Sequence, residues 1–142
     1  MVLNVTRKTI LAANALPAYS YFMRLRGMIG RSFSGFDGMY FPHCTSIHTF
    51  FMSQSLDVVF ASRDGRVLDT ASVRPWTACC RCGDAYGVLE LPEGALMRSG
   101  TEPGDILDLN AELTEDVRRS WKEFYNGKTA ASAALPAAGD NQ

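Results

Sequence analysis

The middle of the chain constrains the fold most, because strand-forming runs follow one another there with connections short enough for hairpins. Residues 46 to 52 (Ser-Ile-His-Thr-Phe-Phe-Met) and 56 to 61 (Leu-Asp-Val-Val-Phe-Ala) are rich in β-branched and aromatic residues and apolar on both faces. Such runs suit strands buried from two sides. Ser53-Gln54-Ser55 is short and polar enough to join them as a hairpin. Asp64-Gly65, between residues 58–61 and Arg66-Val67-Leu68-Asp69, is a two-residue loop signal that favours positive φ in a primed turn. Further strands are expected at 2–6, at Met39-Tyr40-Phe41 ended by Pro42, at 86–91 stopped by Pro92, and at Ile106–Leu109 after the Pro103-Gly104-Asp105 turn.

Helical signals lie outside this β region. Residues 18–26, following Pro17 and closed by Gly27 and Gly30, have the bulk and propensities of a short helix. Near the C-terminus Leu113, Val117, Trp121 and Phe124 line one side of a helix, with Thr114 as N-cap, Glu115 and Asp116 at the positive end of its dipole, and Asn126-Gly127 at its exit. From Thr129 to Gln142 small and polar residues dominate without an aromatic, the composition of a tail with no core of its own. With 142 residues there is room for one domain. The expected organisation is a single β-sandwich domain over 1–127 and a flexible tail over 128–142. The fold class is mainly β with α+β additions.

A net charge of −1 supplies no overall field for nucleic acid or an acidic membrane. No apolar run approaches a bilayer span, and the first residues lack the order of a signal peptide, so a soluble cytoplasmic protein is expected. Four cysteines without a secretion signal are expected as thiols.

Several segments occur in an order that is similar to a known family. They are Arg24-Leu25-Arg26-Gly27-Met28-Ile29-Gly30-Arg31, Gly38-Met39-Tyr40-Phe41, residues 46–52, Leu56-Asp57-Val58-Val59-Phe60, Asp64-Gly65-Arg66-Val67, Pro75-Trp76, Val88-Leu89-Glu90-Leu91-Pro92 and Gly104-Asp105. Over roughly residues 20 to 110 the chain resembles domain of unknown function 192, a family of small prokaryotic proteins. The resemblance implies a compact β sandwich of jelly-roll type with a short helical segment near its start, and it implies no established activity. Two departures stand out: Glu93 precedes Gly94 where the family more often has a small residue, and Cys79-Cys80-Arg81-Cys82 lies outside the pattern.

His48 and Asp57 both fall on the resembling segments. Strand alternation puts His48 with Ser46, Phe50 and Met52 on one face. Whether Asp57 joins it depends on hairpin register. A three-residue loop turns Asp57 away, whereas a two- or four-residue loop brings it to the face of His48. The functional reading is an imidazole oriented by a carboxylate; its rival is a core histidine bonded to backbone, with Asp57 capping a turn. Cys79 and Cys82 have the gap of zinc knuckles and redox dithiols but no second pair. A zinc site would need Cys44, His43 or His48 as further ligands, and inert loop thiols are the alternative.

Arg24, Arg26 and Arg31, with Arg7, Lys8 and the aromatics Tyr19, Tyr21 and Phe22, could grip phosphate. Arginines on a short helix more often cover the core or pair with carboxylates such as Asp37, so the nucleic-acid signal is weak. Trp76 could floor a pocket or cover the sandwich end. The expected site is an open face carrying His48, Phe50 and Met52, bordered by Asp57, Trp76 and Glu90, for a small molecule or a peptide. No cofactor is expected beyond the zinc alternative. A role in assembling a cell-surface or secretion apparatus is a looser reading. The competing class is an enzyme, a hydrolase using His48 with Asp57 or a metal enzyme recruiting the cysteines.

Overall fold

A computed structural model describes residues 1–20, 24, 26–78 and 80–110. The expected C-terminal helix and tail and Cys79 lie outside the described residues, as do Tyr21, Phe22, Met23 and Leu25 of the expected helix over 18–26. Within that stretch, residues 18–20 are not helical, and the Arg24 N–H donates to the Ser20 carbonyl at 3.0 Å.

In chain order the strands are β1 (Val2–Asn4), β2 (Thr9–Ala12), β3 (Ala15–Pro17), β4 (Gly38–Pro42), β5 (Ser46–Ile47), β6 (Leu56–Ala61), β7 (Val67–Val73), β8 (Cys80–Arg81), β9 (Gly87–Pro92) and β10 (Leu107–Asp108). A short helix, α1 (Ala95–Ser99), follows β9. The chain is mainly β. Its largest sheet has the order β3-β4-β9-β6-β7, beside a three-stranded sheet β10-β1-β2 and a two-stranded ribbon β5-β8. A jelly roll would divide eight strands over two Greek keys. The orders here differ because β3 pairs in parallel with β4, and β5 leaves to pair with β8.

The doubly apolar composition of residues 56–61 has the expected result. β6 lies between β7 and β9, and all six of its residues are buried. Val58 and Phe60 enter one core cluster with Met39, Phe41, Met52, Leu56 and Val88. Val59 enters a second, with Leu89, Leu91 and Val67 against Val2, Leu11, Ala12 and Leu107. Each fully buried side chain of this size contributes about 1.5–3 kcal/mol. The sheet is thereby held on both faces.

The hairpin expected between 46–52 and 56–61 does not form. Only Ser46 and Ile47 are extended, and they pair with Arg81 and Cys80. The chain turns before it can reach β6: Phe51 adopts φ 61 and the Met52 N–H donates to the Thr49 carbonyl at 3.3 Å. Leu56 pairs instead with Val73 and Pro92.

The Asp64-Gly65 turn is present in a longer form. The Gly65 N–H donates to the Ser62 carbonyl at 3.1 Å, and the Ser62 N–H to the Arg66 carbonyl at 2.9 Å. These bonds close a three-residue loop of Arg63, Asp64 and Gly65, a type of connection that ends on a left-handed residue. Gly65 takes φ 84, and a Cβ there would stand 2.2 Å from the Leu107 carbonyl oxygen. The turn and the close approach of β10 both require glycine.

A buried polar network ties the three-stranded sheet to the loop before β10. Asn4 donates to Thr101 and to Asp105, each at 2.9 Å, and Arg7 reaches Asp105 at 2.9 Å and Glu102. Thus Arg7 is a structural ion-pair partner. Among the described residues Asp37 forms no ion pair with an arginine, and it accepts the Ala13 and Asn14 N–H groups, each at 2.7 Å.

Candidate functional site

β9 carries Val88 and Glu90 toward the same face of the large sheet, and Val88 belongs to the first core cluster. Glu90 stands between Met39 of β4 and Val58 of β6 in register, so an ionisable group occupies the centre of a sheet face it shares with Met39, Phe41, Val58, Phe60 and Val88. It is 6 % exposed. Its Oε2 atom is buried without a hydrogen-bond partner among the described residues. Burial pushes the carboxyl pKa up from 4.5 to about 7, because the ionised form loses its water without gaining a counter-charge.

This carboxyl lines a pocket of about 100 Å³ whose walls include Arg24, Arg26, Cys44, His48 and Met52. The arginines are anchored through the backbone. Arg24 donates to the Pro42 carbonyl and, at 3.2 Å, to that of His43; Arg26 donates to the Ile29 carbonyl at 3.4 Å. His48 is exposed, where a core histidine would be enclosed. Its ring lies 5.4 Å from that of Phe50, so it joins the pocket to an aromatic group outside.

That group consists of Phe50, Phe51 and Trp76, which are 36 %, 68 % and 60 % exposed. Trp76 lies 5.0 Å from Phe51 and 6.3 Å from Phe50, centroid to centroid, edge to face at 61° and 67°. Phe51 and Trp76 have φ of 61 and 63, a left-handed conformation that bulky residues seldom adopt. Thr49, fully buried, holds both loops. Its N–H donates to the Thr77 carbonyl, its hydroxyl to the Arg74 carbonyl, and its carbonyl and hydroxyl oxygen accept the N–H groups of Trp76 and Thr77, at 2.6–3.1 Å.

Of the expected site residues, His48, Met52 and Glu90 line one pocket, Phe50 lies outside it beside His48, and Trp76 is in contact with Phe50 rather than with the pocket. Asp57 does not belong. It points to the other face of β6, where its carboxylate accepts the Ser72 hydroxyl at 2.7 Å and the Leu96 N–H at 2.9 Å. The His48–Asp57 dyad is therefore not assembled, because its premise was a hairpin that does not exist. Asp57 instead ties α1 and β7 to β6.

Cys44, Cys80 and Cys82 are half-buried against the first core cluster. Among the described residues no three His, Cys, Asp or Glu side chains gather as metal ligands. Phe51, Thr49 and the pocket-lining role of Arg24 and Arg26 escaped sequence reasoning. Glu90 had a signal, an ionisable residue amid Val88, Leu89 and Leu91.

A family model for DUF192, described as an uncharacterized ACR, matches residues 3–109. A UPF0127 protein from Thermococcus sibiricus is 31% identical over 131 residues, which cover 89% of this chain and 85% of that protein. A UPF0127 protein from Pyrococcus horikoshii is 37% identical over 60 residues, 42% of this chain and about half (52%) of that relative. Among solved structures, a protein of unknown function from Novosphingobium aromaticivorans has a TM-score of 0.58 at 26% identity, covering 66% of this chain and 73% of the other. A Sinorhizobium meliloti protein put forward as a transcription regulator has a TM-score of 0.60 at 25% identity, covering 66% and 79%. Among the described residues no helix is long and apolar enough to cross a membrane.

Proposed function

The chain belongs to the DUF192 family, and we propose that it acts as a ligand-binding module whose site is the pocket formed by Glu90, His48, Arg24 and Arg26. The observation that carries this reading is the buried Glu90 Oε2 without a hydrogen-bond partner among the described residues. Leaving a buried polar atom unpaired costs about 1–3 kcal/mol, and a ligand that donates a hydrogen bond to it recovers that cost. A carboxyl so perturbed beside a pocket is also what functional sites tend to contain.

A pocket of about 100 Å³ takes one chemical group, so the ligand enters by an end and leaves the remainder outside. His48 at the mouth contacts what remains outside. Binding is favoured over hydrolysis because the only carboxylate expected to orient His48, Asp57, is engaged by Ser72 and Leu96.

The test is a thermal-shift panel of nucleotides, sugars, amino acids and short peptides on the native protein, Glu90→Gln and His48→Ala. A ligand that binds the folded state raises the melting temperature by mass action. A shift in the native protein that shrinks in both variants supports the pocket. A ligand whose shift is equal in all three proteins places the site elsewhere.

A further inference from the structure

The pocket alone does not account for the neighbouring aromatic group. Three of the six large apolar side chains that are exposed among the described residues gather at Phe50, Phe51 and Trp76. Exposure of this kind, when contiguous, marks an interaction surface. Two of these residues hold left-handed φ, which costs free energy that the surrounding bonds must offset. The bonds are those of Thr49, which joins the loop at 49–52 to that at 74–77. The rings thus form a fixed shelf.

The chemistry beside the shelf decides what it takes. A cation entering the pocket would face Arg24 and Arg26, and an anion would hold Glu90 in its protonated form while meeting guanidinium groups already donating to the Pro42, His43 and Ile29 carbonyls. A neutral group that both donates and accepts hydrogen bonds suits such walls: it donates to Glu90 and accepts from an arginine or His48. The hydroxyl group has that dual capacity. Exposed aromatic faces carry the negative side of a quadrupole and attract the polarised C–H groups of a saturated ring. One ligand class has both a C–H face and an edge of hydroxyls.

Resting on the pocket reading above, we propose that the site binds a neutral carbohydrate, one sugar ring stacked on the exposed Trp76 face with Phe51 edge-on beside it, and a hydroxyl-bearing edge inserted toward Glu90. His48, which lines the pocket and lies 5.4 Å from Phe50, spans the two halves.

The experiment is calorimetric titration of the full chain with maltotetraose, cellotetraose and chitotetraose, each to about 10 mM. It is repeated on Trp76→Gly and Phe51→Gly, in which glycine accepts the left-handed backbone while the ring is lost. Melting curves establish that each variant is folded, and two variants keep the test valid if one is not. At least one sugar is expected to bind the native protein and to lose about tenfold or more in affinity in a folded ring-less variant.

Three results overturn the proposal: no heat from any sugar, equal affinity in native and ring-less proteins, or binding only to vesicles of anionic lipid or to peptides. A nucleotide or amino acid whose thermal shift depends on Glu90, with no sugar binding, would sink the carbohydrate reading and leave the pocket standing. Sugar binding that Trp76→Gly removes and Glu90→Gln leaves intact would instead count against the inserted edge, and so against the proposal as stated.

Discussion

Replacing Glu90 by glutamine keeps the shape of the side chain and removes its titration. The folded-state pKa stands at about 7 against 4.5 for the free group. At 1.36 kcal/mol per unit, that difference amounts to about 3 kcal/mol. For an acid raised on folding the effect is a penalty on the folded state. It is absent below about pH 4.5, where both states are protonated, grows through the interval, and is complete above about pH 7.

The native protein is therefore expected to lose stability relative to Glu90→Gln as pH rises from about 4 to 8, the variant ending up to about 3 kcal/mol ahead. Urea unfolding followed by circular dichroism, at several pH values on both proteins, reads this difference. Other titrating groups such as Asp105 cancel, since they are common to both. Parallel stability curves across the range would refute the argument, because they would mean that Glu90 ionises in the folded protein as it does in water.

Asp57→Ala is expected to cost about 2–4 kcal/mol, since it orphans the Ser72 hydroxyl and the Leu96 N–H, whereas His48→Ala changes stability by less than about 1 kcal/mol; equal losses in urea unfolding would contradict the placement of both residues. Gly65→Ala is expected to lower stability by more than about 2 kcal/mol, because its Cβ would meet the Leu107 carbonyl oxygen at 2.2 Å; a native melting temperature would show that β10 does not close on this turn. Thr49→Val is expected to cost about 1–3 kcal/mol and to speed amide exchange at Trp76 and Thr77, so unchanged exchange would show that the aromatic loops are held by something else. Burial works against ionisation of Asp105, but hydrogen bonds from Asn4 and Arg7 hold its carboxyl below the usual range. Its contribution is present above about pH 4 and lost as pH falls through the lower folded value, so Asp105→Asn is expected to flatten the acid limb of the stability curve.

The strand content was legible because it depends on local chemistry. Val58, Val59 and Phe60 are β-branched or aromatic with no polar alternation, and a segment apolar on two faces has to be covered on both, as β6 is. The glycine of the Asp64-Gly65 turn was legible for a similar reason, since positive φ is a property of one residue. The loop was nevertheless one residue longer than that pair implied, because Arg63 is compatible with either turn.

The candidate site was legible only in part. His48, Met52 and Glu90 could be named from residue type, and the ordered segments of the family drew attention to them. Their relation to Asp57 could not be read from sequence. It rested on whether residues 46–52 continue as a strand, and nothing in Thr49-Phe50-Phe51 announces a left-handed Phe51. That conformation exists because Thr49 finds partners at Arg74 and Thr77, 25 and 28 residues away.

By itself, then, the sequence determined that this protein is built mainly of strands, where its central doubly buried strand lies and where a glycine must turn the chain. Each of these follows from the preferences of neighbouring residues. Only the tertiary structure decided that Asp57 supports α1 while Glu90 lines the pocket, and that Phe50, Phe51 and Trp76 share one shelf. Those outcomes depend on which strands pair and on which side of the sheet each residue falls, and a shift of one residue in pairing reverses every side.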